Sequence, residues 1–546
     1  MNMTFDETCQ KAVDQVLANR TITRADIPNI QRWTLDVLYP MIDAHNAVVP
    51  NQSDEKWKKP LRMTPYQIAY ILLKICCIKN VCTGDETDNM LCMYQYEGPK
   101  KGLYVMHSYD GRGPIENAIR MISKVSIQDV KEIIREMMSF AETVHVNTDR
   151  DLIPVNNGIF NYKTKELMPF SPEYVFLAKI STDYVPGAQN PVIHNQDDGT
   201  DWDVESWMKS LSDDPEVVNL LWQLTGAVIR PGVRWNKLVM MYAQSGNNGK
   251  GTLCHLMTEL CGKGNVQALC LADFGKQYLP GKLISSVAVI AHENTVEKYI
   301  KESSNLKALV TGDPIQLESK YKDSIQAFFR GIIIQCVNRF PEFEDKTGSL
   351  TRRLLIIPMT KCFTGIERRY IKDDYLCRKE VLQYVLYKVL NMPSYYCLDE
   401  PGSCRRILEM FQSANDPVRQ FLGEILPCLQ WDIVPNQFFF DLYVAWYNKN
   451  VPSGKVKGKQ RFLDDVREIF IQDELNAMMG GQKVYPWKFT DGTKRIGSMM
   501  DKPEPLIKEY GLTDWMNMSY AGSDPEKLCC IPDAKKKDTT KGIIRL

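Results

Sequence analysis

The residues best equipped for chemistry lie between Tyr242 and Thr252, which read YAQSGNNGKGT. Binding a phosphate requires backbone N–H donors, positive charge and few Cβ atoms in the way. Gly246, Asn247, Asn248, Gly249, Lys250, Gly251 and Thr252 offer this combination. Glycines let N–H groups face an anion, and Lys250 supplies a point charge for its outer phosphates. The usual pattern is G-x-x-x-x-G-K-[ST], and this loop departs from it twice. Gln244 stands in place of the first glycine and Gly251 in place of the hydroxyl residue, so Thr252 is the nearest hydroxyl. Taken alone, the stretch also reads as a Gly/Asn-rich surface turn.

The elements around the loop must position it. Leu238-Val239-Met240-Met241 predicts a strand, and Leu253 to Leu260 a helix whose N-terminus adds the positive end of its dipole. Ser286 to Ala291 predicts a buried strand ending in His292-Glu293-Asn294. An acid at a strand end beside a phosphate loop can polarise water or hold Mg²⁺ through water. Glu293 is the acid there, with His292 before it; alone, it also reads as a solvent-facing strand end. Thr311-Gly312-Asp313-Pro314 is a turn signal, and the run to Asp323 then alternates like a β-hairpin with Lys320, Tyr321 and Lys322 at its tip. Such a charged hairpin also suits the blunting of a sheet edge. Gly331 to Val337 predicts a strand ending in Asn338; Arg352 and Arg353 precede the strand Leu354 to Pro358.

Elsewhere the pattern is coarser. Residues 1 to about 145 read as mostly helical: Ile30 to Tyr39 (ended by Pro40), Thr64 to Val81, and Ile127 to Val144 carry apolar residues at three- and four-residue spacing. Asp85 to Asp88 reads as a turn rather than an acidic metal site. Asp151 to Ala188, with Asn156-Asn157-Gly158, predicts a small β element with tight turns. His194 to Asp203 reads as a linker. The C-terminal third predicts helices from Asp416, around Trp446, and from Phe462 to Phe470. A basic turn containing Lys455, Lys457 and Lys459 precedes the last of these, and Phe489 to Arg495 is a candidate wing. That order suggests a winged-helix-like DNA-binding domain, with a helical packing module as the alternative.

Composition sets bounds. The chain has 546 residues, with 67 basic against 67 acidic, so any nucleic-acid contact depends on local placement rather than global charge. The longest apolar stretch, Ile68 to Val81, is interrupted by Lys74 and Lys79 and is too short to span a bilayer. No signal-peptide pattern opens the sequence, and a cytoplasmic location with no membrane contact is expected. The 16 cysteines contain no C-x-x-C and the six histidines are dispersed, so spacing reveals no metal cluster.

Five segments in order, GNNGKGT (246–252), VAVIAHEN (287–294), KALVTGDPIQLESKYKD (307–323), IIIQCVNRFP (332–341) and LTRRLLIIPM (350–359), resemble the superfamily 3 helicases, in the phage and plasmid primase-helicase branch related to the poxvirus primase-helicase. The resemblance covers roughly residues 205 to 365. It implies an α/β AAA+-like ATPase core with a central, mostly parallel sheet and flanking helices, using ATP and Mg²⁺. Lys250 would hold the outer phosphates, and Thr252 and Glu293 would serve the metal. Glu293 would also orient water, Asn338 would sense the γ-phosphate, and Arg352 or Arg353 would be a finger reaching a neighbouring subunit's ATP. A finger of that kind implies a ring, by family usually a hexamer. Lys320 and Tyr321 match the family's DNA-tracking hairpin, contacting phosphate and base.

The expected organisation is a mainly helical region over 1–148, a small β element and linker over 149–204, the ATPase over 205–365, and a helical connector over 366–415. A winged-helix-like domain over 416–525 and a basic flexible tail over 526–546 would complete the chain. The expected function is ATP-dependent unwinding of duplex DNA during replication initiation of a phage or mobile element, within a bacterial host cell, with single-stranded and forked DNA and the replication origin as the expected partners. The alternative is an origin-binding initiator that recruits a host helicase. No primer synthesis is expected: Asp149-Arg150-Asp151 has no third acid near it.

Overall fold

The computed structural model describes the chain apart from residues 1–2, 51–54, 84–88, 109–110, 295–303, 319–324, 342, 344–349, 451–455, 479–484, 495–499, 501, 519, 521, 523, 525 and 533–538. It divides into two compact units: residues 1–341 with 352–405, and residues 342–351 with 406–546.

The first unit centres on a five-stranded parallel sheet. Its order is Val266–Gln267, Ala288–Ala291, Ile332–Val337, Leu238–Tyr242 and Leu354–Pro358. Continuous apolar runs form these strands because both faces are covered; every residue of Leu238–Tyr242 and of Ile332–Val337 is buried. One face carries Val239, Met241, Ile290 and Ile334. It packs against the helices Pro215–Val228, Lys250–Cys261 and Lys379–Asn391 through Leu224, Leu253, Met257 and Val385. Each such side chain contributes about 1.5–3 kcal/mol on burial. The sheet is therefore a rigid platform that fixes the starting point of the loop at each strand end.

The two strands of the expected hairpin are present. The helix Ser304–Thr311 ends at Gly312, whose φ is +71°, and Pro314–Glu318 pairs antiparallel with Ile325–Phe328. The tip, Lys320, Tyr321 and Lys322, lies outside the described residues. The small β element is present as the antiparallel strands Leu152–Val155, Gly158–Asn161 and Glu166–Met168. Val155 pairs with Gly158, so Asn156-Asn157 makes a two-residue turn.

The N-terminal segment is less helical than its spacing suggests. Its helices are Phe5–Asn19, Ile27–Val48, Pro65–Ile75, Pro114–Ile122 and Ile127–Phe140, and helix side chains cover one face, that of Ile78, Leu91 and Met93, of a four-stranded sheet ordered Tyr104–Met106, Asn89–Tyr94, Ile78–Cys82, Thr143–His145. Thr64 to Val81 is thus helix then strand, and Ile127 to Val144 likewise. Pro40 does not end its helix; Ile27–Val48 runs through it. Losing one backbone bond there is offset by burying Leu38 and Ile42 on either side. The acidic run Asp85 to Asp88 lies outside the described residues.

In the second unit, the order from residue 417 is helix Pro417–Ile425, strand Ile433–Pro435, helix Asn436–Asn450, helix Lys459–Met478, strand Trp487–Lys494, short helix Leu506–Glu509 and strand Thr539–Arg545. The three strands form one sheet with Thr539–Arg545 in the middle. One expectation changes. Phe489 to Lys494 lies in the strand Trp487–Lys494, and the end of the supposed tail is the sheet's central strand. An aromatic core of Phe421, Phe438, Phe439, Tyr443, Trp446 and Phe462 joins the helices. Tyr443 stacks on Phe462 at 4.2 Å between centroids. The buried Glu504 carboxylate accepts the backbone N–H groups of Gln430 and Trp431 at 2.7 and 3.2 Å.

Candidate active site

The phosphate loop leaves the C-terminal end of Leu238–Tyr242, the strand lying between Ile332–Val337 and Leu354–Pro358. In a parallel α/β sheet, the crevice at the strands' carboxyl ends is where ligands bind. Two left-handed residues shape the turn: Asn247 at φ +53° and Gly249 at φ +82°. A Cβ on Gly249 would lie 2.6 Å from Leu211 Cδ2, so this position needs glycine twice over. Gly246 and Gly251 meet nothing within 4 Å and carry no such requirement. The Asn248 side chain closes the loop on the Ser245 carbonyl. Asn247 Nδ2 donates to Glu367 Oε1 at 2.8 Å, and Phe363 N donates to the Asn247 carbonyl at 2.7 Å. The loop is thereby fastened to residues 363–367.

Lys250 is the first residue of the helix Lys250–Cys261, and its side chain is buried. Its Nζ donates to Asn338 Oδ1 at 2.9 Å. Asn338 follows the adjacent strand, so two residues far apart in sequence meet across one strand spacing. Burial holds the Lys250 pKa below the ordinary lysine value. The ammonium has given up water for one amide oxygen, and an incoming anion would restore what it lacks. With Oδ1 engaged, the Asn338 amide N–H₂ remains a donor.

Glu293 lies just past the strand Ala288–Ala291, next in order after Ile332–Val337, and is exposed. Its neighbour Asn294 is the anchor. Asn294 Nδ2 donates to Gln335 Oε1 and to the Cys336 carbonyl, both at 3.0 Å, and its Oδ1 accepts from Leu271 N at 2.8 Å. Gln335, fully buried in the sheet, donates in turn to the Leu269 carbonyl at 3.0 Å. Every polar atom of the Asn294 amide is matched, which fixes the strand end carrying Glu293. Partial burial, then the charge of Lys372, lower the His292 pKa, so this ring is neutral at pH 7.

A cavity of about 770 Å³ opens beside the loop. Asn247, Gly249 and Thr252 form one wall, Trp202, Trp207 and Phe363 supply apolar surface, and the charged lining is mixed, with Arg368, Arg369 and Lys372 alongside Asp201, Asp203, Glu367 and Asp373. Sequence reading assigned no role to Trp202, Trp207, Phe363, Arg368, Arg369 and Lys372, nor to Asn294 and Gln335. The available signals were the basic pair Arg368-Arg369 soon after a strand and the asparagine completing His-Glu-Asn.

Other candidates lie apart from this edge. Arg352 and Arg353 form a short 3₁₀ turn immediately before Leu354–Pro358, at the opposite end of the sheet. Lys237, just before the loop's own strand, donates to the Arg352 carbonyl at 3.3 Å. Five strand residues separate the two edges, about 17 Å. In the second unit, Lys457 pairs with Asp465 and Lys459 donates to Gln437 Oε1. Lys455 lies outside the described residues, as do Lys320, Tyr321 and Lys322.

A glycine-bent loop joins a central parallel strand to a helix, with its lysine on an asparagine that follows the neighbouring strand. Residues 115–213 match the family described as D5 N terminal like, and residues 241–353 match a family of unknown function, DUF5906. The chain therefore carries a D5 N-terminal-like region followed by a DUF5906 region. Among solved structures, an A-form apo structure of the NrS-1 C-terminal region is similar with a TM-score of 0.39 and 13% identity, covering 80% of this chain and 98% of that one. Two apo structures of NrS-1 residues 305–718 give TM-scores of 0.39 and 0.38 with 12% and 10% identity, each covering 71% of this chain and 94% of that one. No described helix is long and apolar enough to cross a membrane.

Proposed function

We propose that this protein is an ATP-dependent, ring-forming DNA helicase acting in replication initiation of a phage or mobile genetic element. The observation that carries the reading is the contact between Lys250 and Asn338 at the carboxyl edge of the sheet. It joins a phosphate-holding cation to a polar group able to report on the γ-phosphate. Within an AAA+-like core, Lys250 and the loop N–H groups hold the β- and γ-phosphates. The aromatic cavity takes the base, and Glu293 orients the attacking water. Mg²⁺ neutralises phosphate charge when bound. The donors for it are hard oxygens, the Thr252 hydroxyl and the Glu293 carboxylate, which fit an ion that keeps several waters and shares substrate phosphates. Neutral His292 adds no carboxylate to that set.

Arg352 and Arg353, at the other edge, serve the ATP of a neighbouring copy in a homo-oligomer, most simply a hexamer. The hairpin of residues 314–328 presents Lys320, Tyr321 and Lys322 to one DNA strand. Forked DNA, ATP and Mg²⁺ with purified protein test the proposal by strand separation. ATP hydrolysis without separation, even with the origin present, would overturn it.

A second reading is an origin-binding initiator that recruits a host helicase. It is favoured by the helix–strand–helix–helix–strand order of residues 417–494, which is how a winged-helix DNA-binding domain begins; the short helix Leu506–Glu509 then precedes the last strand. Lys320→Ala separates the two. A helicase loses unwinding while keeping basal hydrolysis and origin binding; a recruiter keeps all its activity.

A further inference from the structure

Dispersed histidines and cysteines gave no metal pattern in sequence, yet the fold gathers three ligands. His255 and Glu259 are four residues apart on the helix Lys250–Cys261, hence on one face. Cys377 arrives from the turn Tyr375–Cys377. His255 Nε2 lies 3.3 Å from Cys377 Sγ and 3.7 Å from Glu259 Oε1, and all three ligand atoms fall within 4.8 Å of one another. Metal bonds of 2.0–2.3 Å at a tetrahedral angle separate ligand atoms by about 3.3–3.8 Å. The two histidine distances already match that spacing.

We infer that His255, Glu259 and Cys377 form a binding site for a divalent transition-metal ion, Zn²⁺ by ligand chemistry, at the phosphate-loop helix. Imidazole, carboxylate and thiolate together suit Zn²⁺, whereas a thiolate disfavours Mg²⁺. Three protein ligands leave a fourth position for water. Cys377 is exposed, which gives the ion a way in, while His255 and Glu259 are mostly covered. Lys263 holds Glu259 Oε1 at 2.9 Å and has to withdraw; its side chain is solvent-exposed and free to do so. Binding releases the Cys377 proton to solvent and clamps the helix that begins at Lys250 to the turn after residue 374.

The probe is Co²⁺ added to the full-length reduced protein without nucleotide or DNA, so the outcome is independent of the helicase reading. The expected result is one tightly bound Co²⁺ per chain with a thiolate-to-cobalt absorption band, displaced by Zn²⁺. Cys377→Ser removes the band. His255→Gln and Glu259→Gln each weaken binding at least about tenfold. As a measurement needing no variant, Zn²⁺ protects Cys377 of the wild type from alkylation, read by peptide mass spectrometry. A missing band, a band surviving Cys377→Ser (adventitious binding by other thiols), or unprotected Cys377 would each overturn the site.

Discussion

The two ends of the central sheet are built from the same strands but hold opposite kinds of groups. At the carboxyl edge, polar side chains are engaged with one another: Lys250 with Asn338, Asn294 with Gln335 and two backbone groups, Asn247 with Glu367. That edge is shaped in advance, and its lysine is short of negative charge. The amino edge carries Arg352 and Arg353, with the exposed Arg352 side chain well away from Lys250. An arginine there is too far away to stabilise charge at the loop of its own chain. The contrast teaches that a catalytic role for these arginines requires a second copy, in which one chain's amino edge meets another's carboxyl edge.

The largest effect should come from the arginines. If one is the finger, its replacement by alanine lowers ATP turnover on the order of 10³–10⁵-fold while nucleotide binding survives. A steady-state assay on Arg352→Ala and Arg353→Ala separately identifies which; normal turnover in both would break the comparison. At the other edge, Lys250→Ala should lower turnover on the order of 10²–10³-fold and weaken nucleotide binding as well. Fluorescent-nucleotide titration makes the distinction, since the finger variants retain binding.

The next effects concern preorganisation. Gly249→Ala forces a side chain into a left-handed conformation against Leu211, and should cost about 2–4 kcal/mol in denaturant unfolding. Asn294→Ala leaves Gln335 and Leu271 N without their partner and should cost about 1–3 kcal/mol. An unchanged unfolding midpoint would remove Asn294 as the anchor of the strand end. The smallest effect tests the two departures of the loop. Gly251→Ser, where a Cβ meets open space, and His292→Asp each add a hard oxygen. Together they should lower the Mg²⁺ concentration for half-maximal turnover by about threefold to tenfold.

Much of this arrangement was legible in the sequence because each catalytic candidate ends or begins an apolar run. Strands buried on both faces announce themselves as continuous Val, Ile, Leu and Met, so the phosphate loop, Glu293, Asn338 and the arginine pair could be assigned to strand ends. Which strands are neighbours is a long-range fact. The meeting of Lys250 with Asn338 and the Asn294–Gln335 network depend on the parallel order, and local periodicity carries no trace of it. The same limit hid the N-terminal sheet: Ile75 to Cys82 is largely apolar, and such a run reads equally as helix or strand until its partners are known. Thr539–Arg545 reads as part of a tail because it follows the basic run Lys535-Lys536-Lys537 in a polar stretch. Its strand character comes from pairing with Ile433–Pro435 and Trp487–Lys494, far earlier in the chain. The cluster of His255, Glu259 and Cys377 escaped for the same reason.

The claim at the centre is that one site is completed by two copies. Lys250→Ala protein and the inactive arginine variant, each silent alone, can be mixed and assayed for ATP hydrolysis. The account predicts that activity returns, because some interfaces then pair an intact loop from one chain with an intact arginine from the other. A mixture as silent as its components, under conditions where the two proteins co-assemble, would contradict it.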